Sequence, residues 1–303
     1  MSRDFSPLEF DDLARSLSDS EVHAIECDSF ERNTTQETQS KERSVEPKPE
    51  ERIPQLHFSD GRAVLSDRDR GYRLTESEMR TATDLGKFRI IGINDLAQHA
   101  YSGHREKAKK EIENLVRLGL ARKGTFEGPE ASSRELLTLT KRGHHLLCVN
   151  RLIPPNQAVY HGFVNPREAN HDADLYRLYE KEASRIEAQG GRNLRVVLDY
   201  ELKRKINGEI ARFGVDSRPE IAARHGLSVV KNKIPVPDLR IEYETRDGEA
   251  ARVNLELVTE HYRGRSVEEK VRAGFSLYTP RGEANRLRRI LDQRELTAEI
   301  FSL

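Results

Sequence analysis

Long apolar runs are missing from this chain. No stretch reaches the length a bilayer-spanning helix needs, and the first residues are charged, without the apolar core of a secretory leader. A membrane protein or exported precursor is therefore not expected, and a cytoplasmic location is. Cysteine is scarce: Cys27 in a polar stretch and Cys148 in an expected helix cannot make a disulfide framework, which fits a reducing compartment. A glycine-rich phosphate loop, a Cys/His zinc spacing and a Gly-x-Ser-x-Gly elbow are all missing, so nucleotide hydrolysis, zinc-finger and serine-hydrolase readings have no support. Net charge is absent as well, with 51 Lys and Arg against 51 Asp and Glu, but the charges are spread unevenly along the chain.

What is present divides into three stretches. Residues 1–70 are rich in Asp, Glu, Ser, Thr and Gln and are expected to be a largely disordered polar tail, with Phe5 to Leu17 as a short helix or docking peptide. Residues 71–150 turn globular. Thr75 with Glu78 three residues on is a capping-box pattern, Met79, Ala82 and Leu85 follow at helical spacing, and Gly86 is the expected stop. A short strand at Phe88 to Ile91 is followed by a helix capped by Asn94, then by a third helix from His104 to Leu118 with Ala108, Ile112, Leu115 and Val116 on its apolar side. Leu120 to Arg122 and Leu136 to Thr140 read as two strands, and Lys141 to His145 opens a further helix.

Three helices and a two-stranded wing are the order of a winged helix-turn-helix, which makes the third helix the recognition helix. His104, Arg105, Lys107, Lys109 and Lys110 stand in its first half, where a helix in the major groove meets bases and phosphates. Glu106, Glu111 and Glu113 interleave with them and allow the plainer alternative of a solvated face with i,i+4 pairs. DNA is the expected partner, and a homodimer is compatible with this fold.

Residues 151–303 are expected to be a second, α/β domain. Leu152 to Asn165 reads as a linker or as the first edge of this domain, His171 opens a long helix, and Leu194, Val196 and Leu198 alternate as a strand whose polar face continues into Asp199, Glu201 and Lys203. Leu239, Ile241 and Tyr243 then alternate with Arg240, Glu242 and Glu244. Arg246-Asp247-Gly248 supplies a turn, and Val253, Leu255 and Leu257 alternate with Asn254, Glu256 and Val258. If both apolar rows share a core, Asp238 and Glu256 fall on one opposite face, where two carboxylates can hold a hard cation such as Mg2+. Polar positions on half-exposed strands explain the same residues without a metal. His261 lies close enough to contact a phosphate or metal, although a lone His is more often structural.

Pro237-Asp238, a spacer and Glu256-Leu257-Val258 resemble the signature of the PD-(D/E)XK nuclease superfamily. That pattern has Lys where this chain has Val258; in some divergent members a Lys reaches the same point from a neighbouring element, for which Lys270 and Lys203 are the candidates here. The combination with a winged helix, together with His171-Asp172, Asp199-Tyr200-Glu201 and an expected helix from Lys270 to Tyr278, is similar to the bacterial replication-relaxation family, associated with plasmid replication and mobilisation. The resemblance spans about residues 72 to 280. It implies an α+β protein with an N-terminal winged helix-turn-helix and a nuclease-like domain. The absence of Lys at 258 favours, as the first function the resemblance implies, a DNA-binding protein whose nuclease-like domain is divergent and inactive; the alternative is a Mg2+-dependent endonuclease or nickase using Asp238 and Glu256 with Lys270 or Lys203.

Overall fold

The computed structural model describes residues 58–68, 70–127, 133–163, 165–260, 262–280 and 282–303. Phe5 to Leu17 and His261 lie outside them. Among the described residues the chain forms nine α-helices and three sheets, a mixed α+β protein.

The first sheet falls partly where a polar tail was expected. Strands β1 (Phe58–Ser59), β2 (Arg62–Asp67) and β3 (Arg70–Thr75) are antiparallel, with Ala63 opposite Leu74 and Leu65 opposite Tyr72. Those four side chains are buried while Arg62, Val64 and Arg73 face out. The folded part therefore begins before residue 70. Two apolar residues per strand, set among arginines and aspartates, are too short a period-two signal to stand out.

Helix α1 (Glu76–Phe88) starts on the expected capping box, with the Glu78 amide donating to Thr75 Oγ1 at 3.1 Å and the Thr75 amide to Glu78 Oε2 at 2.8 Å. Gly86 does not stop it. The helix runs on to Phe88, and Gly86 is a point of close approach, where an added Cβ would lie 3.0 Å from Val159 and 3.1 Å from Leu147. Helix α2 (Ile93–His99) is capped by the backbone at Gly92, so Asn94 sits inside the first turn and is not the cap. Helix α3 (Arg105–Arg117) buries Ala108, Ile112 and Leu115 as its spacing requires. Strands β5 (Ala121–Glu127) and β6 (Ser133–Leu139) form an antiparallel pair, to which β4 (Ile91–Gly92) adds one edge, and α4 (Lys141–Val149) starts on Thr140.

Within the stretch expected as a linker or the edge of the second domain, Ile153 and Gln157 to Tyr160 are buried. Ala158, Val159 and Tyr160 are in the core, and Gln157 bonds both backbone groups of Val196, accepting from its amide at 2.9 Å and donating to its carbonyl at 2.9 Å. One apolar core consequently runs from α1 and β6 through this segment to the C-terminal sheet.

Helix α5 (Pro166–Ala188) begins a turn and more before His171, so His171 lies within the helix and not at its cap. Strand β7 (Arg192–Leu198) ends where α6 (Asp199–Phe213) begins; Asp199, Glu201 and Lys203 thus occupy the first turns of a helix and do not continue the strand's polar face. The acids at α6's start are favourable against its N-terminal dipole, which the alternating pattern concealed. Helix α7 (Arg218–Arg224) precedes the hairpin of β8 (Leu239–Glu244) and β9 (Ala250–Leu257), closed with Gly248 at φ 84° and the Thr245 amide on Glu249 O at 2.8 Å. Helix α8 (Gly264–Arg272) stops short of the expected Tyr278, because Gly274 turns the chain at φ 80° and β10 (Ser276–Thr279) follows. Helix α9 (Ala284–Asp292) and β11 (Ile300–Ser302) complete the order.

The five strands lie in the order β11-β10-β9-β8-β7; β7, β8 and β9 are antiparallel neighbours, and β10 and β11 run parallel to β9. Leu239 and Leu255 pair across the hairpin and, with Ile241 and Leu257, pack towards Leu175, Tyr176 and Leu178 of α5. Val197 joins Leu202, Ile206 and Ile221 of α6 and α7 in a separate apolar cluster. The polar rows of the central strands are only partly exposed: Arg240 is 2% and Glu256 0% exposed, while Glu242 and Asn254 stay half-buried.

Candidate active site

Asp238 and Glu256 meet at the end of the hairpin because β8 and β9 are paired in a register that sets Leu239 against Leu255. The Asp238 amide donates to Glu256 Oε2 at 3.3 Å, and the Leu257 amide donates to Asp238 Oδ2 at 2.9 Å. The first turn of α6 is tied to the same point, with the Asp199 amide on Asp238 O at 3.2 Å.

Lysine arrives from α8. Lys270 Nζ lies 2.6 Å from Glu256 Oε1 and donates to Val236 O at 2.8 Å. Val258, where the family pattern has lysine, is buried among Val267, Leu277, Leu287 and Leu291. An ammonium there would be stranded in an apolar cluster. Of the two lysines singled out in the sequence, Lys270 makes the contact. Lys203 pairs instead with Asp199 at 2.5 Å and acts on the two carboxylates only through its field; burial lowers its pKa, but Asp199 and those carboxylates outweigh this and raise it.

Two further groups close the site. The Tyr262 hydroxyl donates to Glu256 Oε1 at 2.7 Å, and His171 Nε2 lies 3.4 Å from Asp238 Oδ2 while its other ring nitrogen is 3.5 Å from Asp172. Tyr262 carried no sequence signal, since the loop that brings it back to β9 has no period. His171 read as a capping residue because its helix was placed too late.

The electrostatics divide the carboxylates. Burial pushes the Glu256 carboxyl up, the neighbouring Asp238 charge pushes it further, and Lys270 and Tyr262 offset only part of this, leaving it at about 7. Asp238 is also raised by burial, but the hydrogen bond and charge of His171, the charge of Lys270 and the Leu257 amide more than reverse that, so its pKa is lowered. Burial works against a charged His171, yet Asp172 and Asp238 prevail and raise it to about 10. At neutral pH the site holds an ionised Asp238, a charged His171 and a Glu256 near half-ionisation.

Two adjacent buried carboxylates, one short of compensating charge, are a chemically suitable donor pair for a hard cation. Among the described residues no group of three or more His, Cys, Asp or Glu is arranged to hold a metal. A cation here would therefore have two carboxylates as its side-chain ligands, with water and phosphate oxygens completing its shell, a ligand set Mg2+ accepts.

The basic residues expected on the third helix are together on one element. His104, Arg105, Lys107, Lys109 and Lys110 are all exposed on α3 or its cap, with Lys107 4.0 Å from Glu111. Glu106 and Glu113 are exposed on the same helix, so the interleaved acids of the solvated-face alternative are present beside the basic residues. Arg105 and Lys109 line a groove of about 420 Å³ whose apolar side is Ile93, Ala97 and Ile112 and whose far wall includes Lys123 of β5.

Comparison of the chain with protein-family models, curated proteins and solved structures finds no match. Among the described residues no helix is long and apolar enough to cross a membrane.

Proposed function

We propose that this chain is a Mg2+-dependent DNA endonuclease or nickase that binds DNA through α3 and the β5–β6 hairpin and cleaves at Asp238, Glu256 and Lys270. The observation that carries the reading is the Lys270 ammonium, 2.6 Å from Glu256 Oε1 beside Asp238, which supplies from α8 the charge that Val258 cannot. The order of α5, β7, β8, β9, α8 and β10 is similar to the PD-(D/E)XK core. Three helices, a hairpin and a closing helix ahead of it are similar to a winged helix-turn-helix, the combination of the replication-relaxation family. The other reading is a nuclease-like domain retained only for DNA binding; the position of Lys270 beside Glu256 favours the cleaving one.

Each side chain has a distinct task. His171 and the Leu257 amide hold Asp238 ionised and oriented. Tyr262 fixes Glu256 from one side, and Val236 O and Glu256 Oε1 take two of the three Lys270 ammonium protons, leaving one for a water or a phosphate oxygen. Lys270 then orients the attacking water and stabilises charge as it develops on the phosphoryl oxygens. A divalent cation, when bound, supplies Lewis acidity to the same phosphate. Calorimetric titration with Mg2+ tests the donor pair. Heat of binding from the wild type that vanishes in Asp238→Ala/Glu256→Ala supports the reading, and no binding by the wild type removes it.

A further inference from the structure

The outer face of α6 is unusual for a helix that packs well on its other side. Leu202 and Ile206 are buried, while Lys203, Arg204, Asn207, Gly208, Ala211, Arg212 and Phe213 face out. Glycine in a helix interior is unfavourable relative to alanine. Nothing within the chain requires it at 208, since an added Cβ would meet no atom within 4 Å. It leaves a low floor in an open groove of about 390 Å³ lined by Arg204, Lys205, Gly208, Glu209, Arg212, Phe213 and His225.

The charge around this groove is mainly positive. Arg204, Lys205, Arg212 and Arg224 stand against Glu209, whose carboxylate is engaged by Arg224 at 2.6 Å and His225 at 2.8 Å; Lys205 also pairs with Glu201 at 2.9 Å. At its end Phe213 is 51% exposed, with the guanidinium groups of Arg212 and Arg224 over its ring at 5.1 Å and 5.5 Å from the centroid. A large ring left half open beside arginines can stack a base while the guanidinium groups hold its phosphates. The other end of α6 is Asp199, bonded to Asp238 in the carboxylate site. The groove lies along the C-terminal part of this helix, which is roughly 20 Å long.

We propose that the groove on α6 is the path of a single DNA strand leaving the carboxylate site, with phosphates on Arg204, Arg212 and Arg224 and an unpaired base stacked on Phe213. This rests on the nuclease reading and names its substrate: DNA that is single-stranded on one side of the scissile phosphate. A base inside a duplex already has both faces covered, so Phe213 selects for an unpaired one.

The test is fluorescence anisotropy of the full chain with a labelled oligothymidylate and with a labelled duplex, in EDTA so that no cleavage intervenes. Phe213→Ala is expected to weaken oligothymidylate binding about ten-fold while duplex binding changes less than about two-fold, and Phe213→Tyr to bind like the wild type. Arg204→Ala/Arg212→Ala is expected to lower the dependence of log affinity on log salt by about 0.7 for each phosphate that the variant no longer neutralises. Unchanged oligothymidylate binding by Phe213→Ala, an equal loss on both probes, or no oligothymidylate binding by the wild type overturns the path. Adding Mg2+ separates the two claims. The expected binding pattern without cleavage keeps the path and removes the nuclease reading; cleavage with binding unaltered in Phe213→Ala does the reverse.

Discussion

Glu256 is surrounded by its neighbours' opposing demands: Lys270 and Tyr262 favour its charge, and burial beside Asp238 opposes it. Its folded pKa of about 7 lies above the ordinary 4.5, so across that interval the folded state holds a proton the unfolded state has released, and rising pH favours unfolding. His171 adds a loss of the same sign at higher pH, because its stabilising charge is complete below 6.5 and disappears as pH rises through about 10. The metal-free chain is therefore expected to lose thermal stability as pH rises from about 5 to about 8, and Glu256→Gln to flatten the lower part of that slope; a slope unchanged in the variant contradicts the assignment. Lys270→Met should reduce cleavage by about 10² to 10³-fold while DNA affinity stays within about two-fold, measured by nicking and anisotropy. At this scale the two carboxylates were legible, since alternation put both on one face. Which lysine served them was not, because that depends on how α8 docks.

The elements differ in how openly they declare themselves. The Thr75 box could be read because its four residues contain the whole interaction, and the structure adds a tie to α3 through Asn114 Nδ2 on Glu78 Oε1 at 2.6 Å. Thr75→Ala is expected to cost about 1 kcal/mol in denaturant unfolding. Gly208→Ala on α6 should instead stabilise by roughly 0.5 to 1 kcal/mol in the same measurement, since the site is helical and open. Destabilisation there would mean the glycine answers a packing demand. The α6 boundary was misread because Leu194, Val196 and Leu198 alternate with polar residues that continue past the strand's end. The β1 to β3 sheet was missed because its buried side chains are two per strand on the two longer strands, and its stability comes from packing on later elements, which no local window contains.

For the whole molecule, the two expected domains are tied to each other by long-range contacts. Arg134 of β6 reaches Asp95 of α2 at 2.7 Å and Asp174 of α5 at 2.9 Å, Gln157 is bonded to β7, and one apolar core passes beneath both. Unfolding is thus expected as one transition by fluorescence and by circular dichroism, and two separated transitions would contradict the shared core. Long-range pairs such as these leave no trace in local periodicity, which is why the halves looked independent. Such coupling would hold a DNA-bound α3 in a fixed relation to the carboxylate site. The claim that this site cuts DNA is tested most directly by nicking of supercoiled plasmid with Mg2+, comparing the wild type with Glu256→Gln. Nicking by the wild type that is lost in the variant while DNA binding stays equal is the expected result. No nicking by a wild-type protein that binds both DNA and Mg2+ would contradict it.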